Sequence, residues 1–248
     1  MNRFFVEEDQ IKENSIKIIG NDVKHIKNVL RLKTGDEIEV VSNGLVYKCQ
    51  LLDIKSSVVH VKIIDVKKGK NEPPIDVILF QSIPKGDKMD LIVQKSTEVG
   101  VKEIFPVVTK RTVVKIRDKK KEKSKIDRWN AISLEAAKQS KRDFVPVVNS
   151  VLIFEEMINF LRHEESIIVP YELENSLGLK EALKSVNTNK VNIIIGPEGG
   201  FEEEEIIMLR DIGGQVVTLG PRILRTETAG IVTMSLILYE LGDLGVIR

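Results

Sequence analysis

Cysteine and tryptophan each occur once in 248 residues, histidine three times, and aromatic residues make up only 5% of the chain. The lone thiol, Cys49, excludes an intrachain disulfide. The start MNRFFVEEDQ lacks the continuous apolar stretch of a secretory leader, so a cytoplasmic location is expected. His25, His60 and His163 are scattered and form no metal-ligand spacing with Cys49, so no metal is expected. Long apolar runs are missing as well. The greasiest segment, AGIVTMSLILYELG, is too short and too interrupted to cross a bilayer, and no membrane role is expected. Nor is there an excess of one charge: 38 Lys and Arg against 37 Asp and Glu leave a net +1, which neither demands nor excludes a polyanionic partner.

Hydrophobic residues, at 42%, are sufficient for one large core or two modest ones. The first seventy residues read as short strands, FFVE, SIKIIG, DEIEVVSNG, LVYKCQLLDI and VVHVKIID, with one amphipathic helix in DVKHIKNVLR. Asn43 and Gly44, which tolerate positive φ, mark a hairpin between two alternating stretches. These elements predict a small barrel or sandwich. The segment KKGKNEPP then disrupts regular structure, and a domain boundary is expected near residue 72. Beyond it, the strands DVILFQSI, EIFPVV, SIIVPYE, VNIIIG and GQVVTLG alternate with helical stretches, which predicts a largely parallel, helix-covered sheet.

Two of these strands run into glycine turns that open helices, GPEGGFEEEE at 196–205 and LGPRILRTETAG at 219–230. They are expected to be parallel neighbours ending on the carboxyl edge, where open α/β sheets bind ligands. Glycine lets a ligand approach the backbone, although either loop alone could be no more than a tight turn. Neither loop matches G-x-G-x-x-G or the P-loop pattern. Glu202 to Glu205 put negative charge at a helix amino end, which repels a pyrophosphate and suits a neutral or cationic ligand, or else simply complements the helix dipole.

Taken together, IIIGPEGGFEEEE and LGPRILRTETA resemble the paired signature of the RsmE family, the small-subunit (16S) ribosomal RNA uridine-N3 methyltransferases of the SPOUT superfamily. RFFV, HIKNVLR, PKGDKMDLIVQKSTEVGV, KRTVVK and RWNAISLEAAKQSKR resemble further family segments in family order, so the likeness spans nearly the whole chain. It implies a PUA-like RNA-binding β-barrel over 1–72, followed by a SPOUT α/β methyltransferase domain over 73–248 with a C-terminal trefoil knot. It also implies S-adenosylmethionine as cofactor, a homodimer, and methylation of uridine N3 in small-subunit RNA, free or in the assembled subunit. Periodicity by itself gives no sign of a knot.

Carried onto this sequence, the resemblance implies a cofactor pocket from Gly196, Pro197, Glu198, Gly199 and Gly200 with Leu219, Gly220, Ile223, Leu224 and Arg225. Thr226 and Thr228 open the next helix, as caps or as ligand contacts. Tyr171 and Glu172, at the end of the strand SIIVPYE, are placed on a third side by position alone. Uridine N3 carries a proton at neutral pH, so Arg225 is expected to stabilise charge on a uracil oxygen and Glu198, or a water it orients, to accept the proton.

RNA phosphates need local cations. Arg3, Lys24, Lys27 and Arg31 in the first domain and Lys85, Lys88, Lys95, Arg111 and Arg142 in the second are the candidates. The run from Lys110 to Arg128 holds ten basic and three acidic residues, and its part from 115 to 125 reads equally as a solvated loop or an RNA contact. Trp129 falls on one helical face with Ile126, Ile132, Ala136 and Ala137 and is expected in the core. Two other function classes compete: an RNA-binding protein without catalysis, opposed by the intact glycine loops, and a nucleotide-dependent oxidoreductase, opposed by the missing fingerprint.

Overall fold

The computed structural model describes residues 1–114 and 118–246, so Lys115 and Arg117 of the basic run lie outside the described residues. The chain divides into two compact units, Met1–Glu72 with Ala137–Val145, and Pro73–Ala136 with the chain from Pro146 onward. The first unit therefore takes back a short segment from the middle of the sequence.

That unit holds one six-stranded sheet. Its strands are β1 (Arg3–Phe5), β2 (Ile11–Lys12), β3 (Ser15–Ile19), β4 (Glu37–Ser42), β5 (Leu45–Ile54) and β6 (Val58–Lys68), in the order β1, β4, β5, β6, β3, β2. Only β1 and β4 pair in parallel. Asn43 at φ 46° and Gly44 at φ 74° close the β4–β5 hairpin, the double positive φ of a turn that matches strand twist. Alternation sends Ile38, Val40, Cys49, Leu51, Val59 and Val61 inward, and burial pushes the Cys49 thiol up to about 12. The expected helix is a short α1 (Asn21–Lys24) that widens into a π turn over His25–Val29, where the Leu30 N–H donates to the His25 carbonyl at 2.9 Å. Val23 and Ile26 face the core from it, and Lys24 and Lys27 face solvent.

The second unit is built on seven strands that all pair in parallel: β7 (Asp76–Ser82), β8 (Glu103–Val108), β9 (Val147–Val148), β10 (Leu152–Ile153), β11 (Ile167–Pro170), β12 (Lys190–Ile195) and β13 (Gln215–Val217). The order is β10, β8, β7, β12, β11, β13, with β9 on β8. Such strands are buried on both faces and read as continuous apolar runs. Val77 and Leu79 join a core with α2 (Lys88–Val99), α3 (Lys119–Gln139), α5 (Leu179–Ala182) and α7 (Thr226–Glu240). Ile78 and Phe80 join another with α4 (Phe154–Leu161) and α6 (Glu203–Asp211). Trp129 lies in the first of these cores, as its helical spacing predicts. No helix among the described residues is long and apolar enough to cross a membrane.

Two cations expected at an RNA surface are instead buried within the first unit. Arg3, 6% exposed, donates to Glu39 at 2.9 and 3.0 Å, to Asp143 at 2.9 Å, and to the carbonyls of Lys141 and Arg142 at 2.6 and 2.9 Å. Arg142, 3% exposed, pairs with Glu72 at 2.6 Å, and Glu72 also accepts the Asp143 and Phe144 N–H groups. A guanidinium enclosed this way has no fork left for phosphate. Removing one partner of a buried ion pair leaves the other uncompensated, at about 3–5 kcal/mol. Arg3→Ala is expected to lower unfolding stability by about 3 kcal/mol in urea titration, whereas Lys24→Ala at an exposed site should change it by less than about 0.5 kcal/mol. A negligible loss for Arg3→Ala would remove the network from the account of how residues 137–145 are held.

Candidate active site at the carboxyl edge

The two glycine loops leave the carboxyl ends of β12 and β13. These strands are parallel but are not neighbours, because β11 pairs with both and stands between them. The sequence expectation of adjacent strands is corrected on this point, since chain order alone cannot reveal an inserted strand. The insertion has a consequence for the site: Tyr171, whose N–H donates to the Val217 carbonyl at 3.0 Å, and Glu172 emerge between the glycine loops.

A cavity of about 670 Å³ opens there. Of the residues the sequence singled out, Tyr171, Glu172, Gly196, Glu198, Gly199, Leu219, Gly220, Ile223, Leu224 and Thr226 line it. Pro197, Gly200, Arg225 and Thr228 do not, although they lie in the same two loops and at the start of α7. Pro197 and Gly200 form a tight turn, with the Gly200 N–H donating to the Pro197 carbonyl at 3.0 Å. Gly200 sits at φ 69°, and a Cβ there would lie 2.2 Å from the Glu172 Oε1. Arg225 caps α7, its carbonyl accepting the Thr228 and Ala229 N–H groups at 2.8 Å.

Thr226 couples the loops. Its hydroxyl donates to the Gly196 carbonyl at 2.6 Å and accepts from the Gln81 amide at 2.9 Å, so the start of α7, the first glycine turn and the end of β7 are tied together in the interior. The other Gln81 N–H donates to the Ser82 carbonyl at 3.0 Å. Gln81 is fully buried, and 145 residues of chain separate it from Thr226.

The glutamates are distributed differently from the expectation. None of Glu202 to Glu205 lines the cavity. Arg111 grips Glu202 at 2.8 and 2.9 Å and donates to the Gly199 carbonyl at 2.8 Å, and its hydrogen bonds hold Glu202 below the usual carboxylate range. Lys110 pairs with Glu204, and buried Glu205 accepts the Lys110 and Glu202 N–H groups at 2.9 Å each. Glu202, Glu204 and Glu205 are thus answered by neighbours at the helix start rather than by a ligand.

The carboxylates that do line the cavity are Glu172, Glu174 and Glu198, with Arg222 as the lining cation. Hydrogen bonds from the Ser176 hydroxyl and N–H bring Glu174 down to about 2, and Arg210 pairs with it at 2.8 Å. Partial burial pushes Glu198 up, but its own N–H, the Lys88 ammonium and the Lys85 N–H outweigh this and hold it below its ordinary value. Both of the latter contacts measure 3.1 Å. Lys88 also pairs with Glu227 at 3.2 Å. Among the described residues, the carboxylate of Glu172 and the guanidinium groups of Arg222 and Arg225 have no side-chain hydrogen bond or ion pair.

The proposed RNA cations separate on the same grounds. Lys88 and Arg111 are engaged with the first glycine loop, and Lys95 pairs with Glu98 at 2.9 Å. Lys24, Lys27, Arg31 and Lys85 are exposed, without a side-chain partner among the described residues. Sequence reasoning missed Pro170, Glu174, Asn175, Ile195, Phe201, Thr218, Pro221, Arg222 and Ala229 in the lining. Most of these could have been reached by treating every strand end and loop on the carboxyl edge as a candidate, since all but Ala229 end or follow a strand.

Residues 71–238 match the family model described as an RNA methyltransferase domain, and residues 18–64 match the RNA methyltransferase PUA domain. The chain is 37% identical over 249 residues to ribosomal RNA small subunit methyltransferase E of Bacillus subtilis, covering 97% of each. It is 34% identical over 232 residues to the protein of that name from Mesomycoplasma hyopneumoniae, covering 93% of this chain and 96% of the relative. Among solved structures, ribosomal RNA small subunit methyltransferase E from Neisseria gonorrhoeae, bound to S-adenosyl methionine, superposes with a TM-score of 0.87 at 30% identity, covering 98% of this chain and 99% of the other.

Gly200→Ala separates backbone strain from site geometry. Both Gly200 and Gly213 have positive φ, at 69° and 88°, but a Cβ at Gly213 meets nothing within 4 Å. Each substitution to alanine is expected to cost about 1–2 kcal/mol of stability. Only Gly200→Ala must also displace the Glu172 carboxylate, so only it should weaken ligand binding in calorimetry. Equal effects of the two variants on binding would detach the first loop from the site.

Proposed function

The chain belongs to the ribosomal RNA small subunit methyltransferase E family, and we propose that its carboxyl-edge cavity holds S-adenosylmethionine while uridine N3 of small-subunit (16S) RNA is methylated at the cavity's mouth. The observation that carries this reading is the convergence of three strand-end loops on a nucleoside-sized space walled by glycine backbone. No lysine and hydroxyl pair of a P-loop is present in either glycine loop, and three lining carboxylates face one lining arginine. The residues fit a phosphate-free, cationic nucleoside. When bound, S-adenosylmethionine supplies an electrophilic methyl group on a sulfonium.

The chain's own part is placement and electrostatics. The loop 171–176 and the two glycine loops fix the cofactor, and the Gln81–Thr226–Gly196 hydrogen bonds keep those loops in register with the sheet. Uridine N3 becomes nucleophilic only as its proton leaves. Arg225, exposed beside lining residues Leu224 and Thr226 and free of partners among the described residues, stabilises the negative charge that develops on the uracil oxygen. Glu198, expected as proton acceptor, is a weakened base because Lys88 and the Lys85 N–H already hold its carboxylate. We assign it to fixing the first loop and leave the N3 proton to solvent at the open mouth.

Lys24, Lys27 and Arg31 in the PUA-matching unit and Lys85 in the other serve as phosphate contacts, a reading supported by their free, exposed side chains. A ribosomal RNA substrate supports a cytoplasmic location. The knot implied by the family is supported by the path of α7, which follows edge strand β13 yet returns to pack on β12, β7 and α2. A homodimer is supported by the outer face of α7, where Leu236 and Tyr239 remain 44% and 69% exposed on a helix apolar on most sides.

Labelled cofactor incubated with unmodified small subunits should leave its methyl on a uridine N3, and nucleotide mapping decides this. In single turnover at saturating RNA and cofactor, Arg225→Ala is expected to slow methyl transfer by about 100-fold, and Glu198→Gln to keep the wild-type pH profile. A normal saturated rate for Arg225→Ala would reduce that residue to RNA binding. A lost acidic limb in Glu198→Gln would restore it as the proton acceptor. Light scattering at micromolar concentration should return twice the 28.0 kDa chain mass, and an active monomer would defeat the dimer.

A further inference from the structure

Among the three carboxylates that line the cavity, Glu172 differs from the other two. Glu174 is saturated by Ser176, Asn175 and Arg210. Glu198 is held by Lys88 and the Lys85 N–H. Glu202, Glu204 and Glu205 point their charge at Arg111 and Lys110, outside the lining. Glu172 lines the cavity, and no hydrogen bond or ion pair to its carboxylate exists among the described residues. Its position is nonetheless specific. Oε1 lies 2.2 Å from where a Cβ of Gly200 would stand, so the first loop needs glycine at 200 to admit this carboxylate as much as to admit a ligand. Its field is felt by its neighbours: it helps to raise both the Tyr171 phenol and the Arg111 guanidinium, after burial and Glu202 respectively.

We propose that Glu172 is the residue by which the pocket recognises positive charge on the cofactor, and hence by which it distinguishes S-adenosylmethionine from the neutral S-adenosylhomocysteine left after transfer. The inference rests on the cofactor reading given above. In the reaction the bond from sulfur to the methyl carbon breaks, a bond from that carbon to uridine N3 forms, and the N3 proton leaves to solvent, so the sulfonium becomes an uncharged thioether. An unpaired carboxylate lining the cavity favours the species before this change and gains nothing from the species after it. Such a residue biases exchange of product for fresh cofactor without taking part in bond making. Arg222, the lining cation, works against it, and Glu174 and Glu198 contribute less because their charge is already answered by Arg210 and Lys88.

Isothermal calorimetry with S-adenosylmethionine and S-adenosylhomocysteine tests this on the full chain. Glu172→Gln keeps the shape of an exposed side chain and removes only the charge. It is expected to weaken S-adenosylmethionine by about fivefold, the scale of a partly screened ion pair, and to change S-adenosylhomocysteine by less than about twofold. Glu155→Gln, an exposed charge on the first turn of α4 outside the lining, controls for net charge and should shift neither ligand. Equal weakening of both ligands by Glu172→Gln would make the residue a structural support and overturn the proposal, as would no change in either. Failure of the unmodified protein to bind S-adenosylmethionine would overturn the cofactor assignment itself, and that result is distinct from a lost preference.

Discussion

In the larger unit all seven strands run the same way, and that single constraint decides where chemistry can occur. Both faces of such a sheet are covered by helices, so its two apolar surfaces are closed to ligands. The carboxyl edge, where the loops after several strands meet, is where open sheets of this kind take their ligands. Placing β11 between β12 and β13 then sets the width of the opening between the glycine loops and fills it with residues 171–176. The hydroxyl of Thr226 secures this arrangement from below, because it has one hydrogen to give and gives it to Gly196 while accepting from Gln81.

Charge is used economically. A chain with nearly equal numbers of cations and anions pairs many of them internally, and residues whose type suggests phosphate binding turn out to be fasteners. Arg111 shows why: its planar fork meets the Glu202 carboxylate and a glycine carbonyl together, a geometry that a point charge such as lysine cannot reproduce. The cations left over are mainly lysines at exposed positions, which is a sensible division. Flexible ammonium groups can follow an irregular RNA backbone, whereas guanidinium groups hold fixed angles inside the protein.

Local features were legible before the structure. The apolar runs of β7, β8, β11 and β12, the Asn43–Gly44 hairpin, the core placement of Trp129 and the glycine loops all follow from short-range pattern and turn chemistry. What could not be read were relations across long stretches of chain. Nothing near Gln81 announces a partner 145 residues away, and nothing in RFFV shows that Arg3 will be enclosed by residues 138 to 140 positions later. The glutamates misled for a related reason. Their helix position was evident, but which way each points depends on Lys110 and Arg111, more than 90 positions earlier. Residue type and spacing specify elements and loops, while the choice between a functional charge and a structural one is made by tertiary neighbours.

The return of residues 137–145 to the first unit carries a consequence for the time course of synthesis. Arg3 is among the earliest residues made, yet Lys141, Arg142 and Asp143, which enclose its guanidinium, are among the last of that unit to leave the ribosome. At roughly 5–20 residues per second the interval is on the order of ten seconds. During it the six strands can pair and Arg3 can meet Glu39, but Glu72 and the rest of the Arg3 guanidinium stay in water and the sheet lacks its final clasp. Arg142 closes on Glu72 only after β7, α2, β8 and the whole of α3 have been translated. The amino-terminal unit therefore completes its fold while the larger unit is still half made, so a nascent chain stalled before residue 137 would present an unfinished RNA-binding unit to any RNA beside it.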